Sequence, residues 1–217
     1  ITAVAREIGS RFREVMVDEY QDSNAVQDAI YGALTERKQN LFLVGDVKQS
    51  IYQFRLADPG IFLEKYASFA HADEAAPGEG RKVLLSRNFR SGGAVLEAVN
   101  DVFKLCMTPQ VGGLHYGAEE ALYEGVPHAP LGQPEVRLHC VDVQEDTYRE
   151  EADYVASQIQ QMIQSGEPVR SGDGTRPVQA EDIVILLRSP GSVGIHYQRA
   201  LEGRGIRCIS GGGEDLL

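Results

Sequence analysis

Two short apolar runs that each stop at a carboxylate constrain this chain more than any other feature. Arg13-Glu14-Val15-Met16-Val17 runs into Asp18-Glu19, and Leu41-Phe42-Leu43-Val44 runs into Gly45-Asp46. Between them, Asp22-Ser23-Asn24 offers helix-capping oxygens, and Val26, Ile30, Ala33 and Leu34 recur at helical spacing. Lys38-Gln39-Asn40 suits the helix end, where a cation is favoured. Strand, helix and strand within about 30 residues make a βαβ unit, and its strands are parallel. Ligands of such sheets sit beyond the carboxyl ends of the strands, so both acidic turns are expected at one edge.

The alternation continues. His71–Gly80 reads as an exposed connector and Lys82–Leu85 as a third strand. Ser91 is placed to cap a helix reaching Met107, with Val95, Val99, Val102 and Phe103 on one face. After a long irregular stretch, Thr108–Gln133, the pattern gives a strand at Val136–Val141, a helix over Arg149–Gln164, a strand at Ile183–Leu187 and a final helix–strand pair over Ile195–Ile209. The expectation is two α/β units with a boundary near residues 71–86.

Charge narrows the partners. The chain holds 21 Lys and Arg against 32 Asp and Glu, a net charge of −11. Residues 1–90 are nearly balanced, with 12 basic and 13 acidic, whereas residues 91–217 have 9 and 19. Broad, charge-driven DNA binding is disfavoured, so any nucleic-acid contact would be local and rely on stacking, or draw its positive charge from other parts of a longer protein. At 42% hydrophobic and 24% charged residues, a disordered, collagen-like or coiled-coil chain is excluded. No run approaches the roughly 18 apolar residues of a membrane span. Cys106, Cys140 and Cys208 are far apart, without a C-x-x-C, which argues against a disulfide framework or a zinc site and suits reduced thiols in the cytoplasm. The start at Ile1, with neither an initiator Met nor a signal peptide, is that expected of a piece of a longer chain.

Three segments carry chemistry. Two carboxylates at a strand end, Asp18 and Glu19, suit magnesium-dependent phosphoryl chemistry, one holding Mg²⁺ and the other polarising water; the plain alternative is a helix N-terminus dressed with Asp and Asn. Gly45-Asp46-Val47-Lys48-Gln49-Ser50-Ile51-Tyr52-Gln53-Phe54-Arg55 places an amide, Gln49, before two aromatics. Gln49 could read a terminal phosphate while Tyr52 and Phe54 stack on bases; equally, the two rings could be ordinary core aromatics. In Leu85-Ser86-Arg87-Asn88-Phe89-Arg90-Ser91, Arg90 could act as an arginine finger beside Phe89, or be a surface residue before a helix.

Together the three segments resemble the helicase motifs of superfamily 1, the group of UvrD, Rep and PcrA. Asp18-Glu19-Tyr20-Gln21-Asp22-Ser23-Asn24 looks like motif II, Gly45 to Arg55 like motif III, and Leu85 to Ser91 like motif IV. The continuation through Leu56-Ala57-Asp58-Pro59 resembles the AddA/RecB helicase–nuclease branch, the AddA type above all; Phe54 stands where the UvrD branch commonly has Trp. Glu150-Glu151-Ala152-Asp153 and Asp182 to Ser189 more loosely resemble the part of the second RecA-like domain that follows motif IV.

The resemblance implies an α/β fold of RecA-like parallel sheets flanked by helices. Residues 1–85 would close the first RecA-like domain and residues 86–217 would begin the second. It implies ATP and Mg²⁺ as cofactors, with Asp18 holding the metal, Glu19 activating water, Gln49 sensing the γ-phosphate, Phe89 on the adenine and Arg90 on the γ-phosphate. Tyr52 and Phe54 would face single-stranded DNA. Asp46, Arg55 and Asn88 are left with either a site role or the holding of loops. The parent would translocate on single-stranded DNA and open duplex DNA in double-strand-break repair and recombination, as a helicase and nuclease paired with an AddB-like partner.

No G-x-x-x-x-G-K-[ST] phosphate loop occurs in the chain, since Gly211-Gly212-Gly213 is followed by Glu214. The family's later motifs and its nuclease cysteine cluster are also missing, so the chain alone is expected to be inactive. Two rivals belong to other classes: a helicase-derived scaffold without catalysis, which would not require Asp18, Glu19, Gln49 and Arg90, and a stand-alone magnesium nuclease, which would need more than one acidic pair.

Overall fold

The computed structural model describes residues 2–35, 40–50, 56–144, 146–172 and 174–209. Contacts gather the chain into two units, Ile1–Pro127 and His128–Leu217. This grouping by packing runs later in the chain than the functional junction expected at residues 85–86. The architecture is mixed α/β, with helices around small two-stranded sheets.

The first unit opens with α1 (Ala3–Gly9), β1 (Val15–Val17), α2 (Ala25–Thr35) and β2 (Leu41–Leu43). The strands pair in parallel with Val15 opposite Leu41 and Val17 opposite Leu43, as the βαβ reading requires. Asn24 starts α2: its Oδ1 accepts from the N–H groups of Val26 and Gln27, both at 3.0 Å, while the Gln27 side chain accepts from Asn24 N–H at 2.9 Å. This reciprocal cap satisfies donors that have no partner within the helix. The described part of α2 reaches Thr35; the expected Lys38–Gln39 terminus lies outside the described residues. Side chains of the two strands alternate, and Met16 and Phe42 lie on the open face, 69% and 59% exposed.

α3 (Pro59–Ser68) begins at Asp58, whose carboxylate accepts from Gly60 N–H, with Pro59 in the first turn. Then follow β3 (Ala70–His71), β4 (Arg81–Lys82), β5 (Arg87–Asn88), α4 (Gly93–Cys106) and β6 (Tyr123–Glu124). Pairing is parallel for β3 with β4 and for β5 with β6. The strand expected at Lys82–Leu85 is therefore earlier and shorter. The cap of α4 is Gly92, not Ser91; Ser91 N–H is held by Asn88 Oδ1 at 2.8 Å, and the Glu124 carboxylate accepts from Gly93 N–H at the helix start, at 3.2 Å. Buried Asn100 of α4 binds the irregular segment: its Oδ1 accepts from Tyr116 O–H at 2.6 Å and Leu122 N–H at 3.1 Å, and its Nδ2 donates to Leu122 C=O at 2.9 Å.

The second unit is built on α5 (Thr147–Ser165), the antiparallel hairpin β7 (Pro168–Ser171) and β8 (Gly174–Pro177), and α6 (Pro190–Glu202). Asp146 caps α5 through Arg149 N–H. Ala152, Ala156, Ile159, Tyr197, Ala200 and Leu201 form its core, with Ile183, Ile185 and Leu187 packed against it. Val184 and Leu186 point the other way. Side chains over 183–187 thus alternate as in a strand, yet neither this segment nor 136–141 is a strand, because no neighbouring chain among the described residues supplies a ladder. The final strand near Ile209 is likewise absent up to that residue.

Candidate functional site

Parallel pairing puts the carboxyl ends of β1 and β2 side by side. The ladder continues past them, with Val44 N–H on Val17 C=O at 2.9 Å and Tyr20 N–H on Val44 C=O at 2.8 Å. This brings Asp18-Glu19 against Gly45-Asp46, at the edge the sequence indicates.

Asp18 and Glu19 are both exposed. Glu19 adopts a left-handed backbone, φ 48° and ψ 42°, a conformation that costs a non-glycine residue roughly 1–2 kcal/mol. Asp18 Oδ1 accepts from Glu19 N–H at 2.9 Å. Behind the turn lies Gln21, 1% exposed, whose Nε2 donates to Glu19 Oε2 at 2.6 Å and whose Oε1 accepts from Asp46 N–H at 2.9 Å. Gly45 makes that approach possible: a Cβ there would stand 2.7 Å from Gln21 Oε1 and 3.2 Å from the Phe62 ring.

Asp46 organises the second turn. Its carboxylate accepts from Lys48 N–H at 3.0 Å, pairs with Lys48 Nζ at 2.8 Å and accepts from Gln49 Nε2 at 3.1 Å. A loop-holding role is thus visible for Asp46. Gln49 is exposed at the same edge as Glu19. Tyr52, Phe54 and Arg55 lie outside the described residues.

The turn rests on Tyr20, 1% exposed, edge-on to Phe62 with ring centroids 5.7 Å apart. Its hydroxyl donates to Asp28, which also pairs with Lys65 at 3.1 Å. Burial, then the neighbouring Asp28 carboxylate, push the Tyr20 phenol well above its ordinary value. Burial would raise Asp28 too, but the bonds from Tyr20 and Lys65 outweigh it and hold that carboxyl below the ordinary range.

Phe89 and Arg90 follow β5. Asn88 Oδ1 accepts from the N–H groups of Arg90 and Ser91, at 2.9 and 2.8 Å, so Asn88 holds the loop. The Cδ1–Cε1 side of the Phe89 ring lies beside Gly125, where a Cβ would come within 2.6 Å; the residue is otherwise open, 69% exposed. Arg90 is exposed. The structure therefore gathers Asp18, Glu19 and Gln49 into one network. No hydrogen bond or ion pair among the described residues joins Phe89 or Arg90 to it.

A divalent ion fits the donor set in one form only. Among the described residues no three His, Cys, Asp or Glu side chains are grouped to hold a metal. Asp18 offers one exposed carboxylate with a second beside it, which suits Mg²⁺ that keeps most of its waters and not an all-protein cage.

Residues 2–70 match the UvrD/REP helicase N-terminal domain. The chain is 42% identical over 87% of its length to the A-type subunit of the ATP-dependent helicase/nuclease of Bacillus mycoides strain KBAB4, and equally so to that of Bacillus cereus strain B4264. It is 38% identical over 86% of its length to the protein of the same name from Alkaliphilus metalliredigens strain QYMF. It spans 16% of the length of each. Over residues 2–70 the chain is thus similar to the UvrD/REP-like helicases. Over most of its length it resembles the A-type, AddA-like subunits of the helicase/nuclease branch.

Gln21 is a residue to which sequence reasoning gave no role, although it stands inside the quoted motif. Its polarity was legible and its burial was not. Glu124 is another: its carboxylate accepts from Gly93 N–H at the start of α4, beside the Phe89 loop.

Proposed function

We propose that the chain is the central part of an AddA-like ATP-dependent DNA helicase, running from the end of one RecA-like domain (residues 1–85) into the next (residues 86–217). The reading is supported above all by Asp18, Glu19 and Gln49 meeting at the carboxyl edge of a parallel pair. Asp18 holds Mg²⁺ largely through water, and Glu19 takes the proton of the attacking water. Gln49 contacts the terminal phosphate. Phe89, itself exposed, stacks on the adenine, and Arg90 engages the γ-phosphate with a permanently charged, planar fork. Magnesium, when bound, supplies charge neutralisation for the phosphates. Tyr52 and Phe54 stack on single-stranded DNA.

In the parent protein this chemistry drives translocation along single-stranded DNA and opening of duplex DNA, in the cytoplasm, for double-strand-break repair and recombination, beside an AddB-like partner and a nuclease activity. Lacking a phosphate loop of its own, the 217-residue chain alone hydrolyses no ATP. In the full-length protein, Arg90→Ala is expected to leave nucleotide affinity largely in place and to cut DNA-stimulated kcat by at least about 10²-fold. Arg90→Lys should rescue it poorly. A near-normal kcat in Arg90→Ala would return Arg90 to the surface, whereas no DNA-stimulated hydrolysis by the unsubstituted full-length protein would favour the scaffold reading.

A further inference from the structure

We infer that Gln21 is a positioning residue for ATP hydrolysis, its buried carboxamide fixing the Glu19 carboxylate and the Gly45–Asp46 backbone in one arrangement. The inference rests on the reading of Glu19 as the group that activates water.

The amide has one orientation only. A carboxylate offers acceptors and a backbone N–H a donor, so Nε2 must face Glu19 and Oε1 must face Asp46. Both bonds form with the side chain 1% exposed, where little water competes. Glu19 sits in a left-handed conformation that persists only where surroundings hold it. Four bonds do so: Asp22 N–H on its C=O, Asp18 Oδ1 on its own N–H, Val44 C=O on the next N–H, and Gln21 Nε2 on its carboxylate. Only the last acts on the reacting group itself.

The other end of the amide is equally constrained. Gly45 is the one residue type that leaves room for Oε1, because any Cβ would stand 2.7 Å away. Asp46, held there by its N–H, accepts in turn from Gln49 Nε2. Gln21 is therefore the middle of a bonded series, Glu19–Gln21–Asp46–Gln49, that ties the water-activating carboxylate to the amide facing the phosphate. Asn is too short to span it, Leu has the bulk without donor or acceptor, and Glu would set one carboxylate against another.

The test uses the full-length helicase and measures DNA-stimulated kcat, nucleotide affinity and far-ultraviolet circular dichroism. Gln21→Leu should lower kcat about 10- to 100-fold, the scale of a misplaced reacting group, with nucleotide affinity little changed. Gly45→Ala, which displaces the amide without removing it, should act in the same direction. In a Glu19→Gln background, itself severely impaired, Gln21→Leu should cost little more, since a residue acting through Glu19 has nothing left to position. A near-normal kcat in Glu19→Gln would overturn the reading of Glu19. A severe Glu19→Gln defect beside a near-normal Gln21→Leu, or full additivity of the two, would overturn the inference alone. Should Gln21→Leu lose helical signal, Gly45→Ala decides: a folded variant with normal kcat overturns the inference, and one with reduced kcat supports it.

Discussion

Among the described residues, every polar side chain that is buried lies in the first unit: Gln21, Ser23, Thr35 and Asn100. The second unit buries Ala152, Ala156, Ile159, Val178, Tyr197, Ala200 and Leu201, apolar but for one phenol. Apolar burial is non-directional and scales with area, whereas a hydrogen bond weakens steeply when its angle is wrong. A unit that must hold carboxylates and amides at set distances gains from the second kind of interior. A unit that only holds two helices together does well with the first.

The largest effect should come from the apolar side. Leu201 is nearly fully buried among Ala152, Ala156, Ile159 and Tyr197. Leu201→Ala should cost about 3 kcal/mol in urea denaturation, through lost burial and an unfilled cavity. Amide exchange should show the loss concentrated in α5 and α6. Leu201→Met, which conserves volume, should cost below about 1.5 kcal/mol.

Asn100 should answer the other way. Truncation to Ala leaves the Tyr116 hydroxyl and both backbone groups of Leu122 without their partner, at a cost of about 2 kcal/mol. Filling the space with Leu should rescue nothing, because what is lost is direction and not volume. If Asn100→Leu proves clearly more stable than Asn100→Ala, the contrast between the two interiors collapses.

Alkali sharpens the same contrast. In the first unit burial, followed by nearby carboxylates, raises the phenols of Tyr20, Tyr66 and Tyr116; in the second, burial and then Glu151 push Tyr197 up to about 12. A group whose value is raised on folding contributes stability that is fully present below its unfolded value, near 10, and lost as pH rises towards the folded one. The denaturation midpoint should therefore fall from pH 10 upwards. Tyr20→Phe should flatten that fall more than Tyr197→Phe, because Tyr20 is further displaced.

The sequence made the site edge legible because two local rules agree there: apolar runs ended by polar turns, and a connecting helix that forces parallel strands. α5 was equally clear, since Ala152, Val155, Ala156, Ile159 and Ile163 keep strict helical spacing. Legibility failed where a long-range partner decides. Ser91 has the chemistry of a cap, but α4 starts from Gly92, and the distant Glu124 carboxylate accepts from Gly93 N–H at the helix start. Ile183–Leu187 has the alternation of a strand, but a ladder needs a second chain segment, which alternation cannot reveal. Gln21 reads as an ordinary polar residue until the fold closes over it.

The smallest effect on stability should be at Arg176 and Asp182, a partly exposed surface pair in the second unit that looks strong on paper. Both terminal guanidinium nitrogens donate to the carboxylate at 2.6 Å, and Gln179 N–H donates to it at 2.8 Å. Those bonds, Arg176 first, hold the Asp182 carboxyl down at about 2. Its contribution is thus present above the ordinary carboxylate value and fades only as pH falls towards 2. Exposure limits what the pair can add, because water solvates the separated charges nearly as well and two long side chains give up their freedom. Arg176→Gln should move the Asp182 titration, followed by carboxyl NMR, clearly back towards the ordinary value. The urea midpoint at neutral pH should stay within experimental scatter. A large drop in that midpoint would mean that a surface ion pair, and not the α5–α6 apolar packing, carries this unit, and the contrast with the hydrogen-bonded first unit would have to be redrawn.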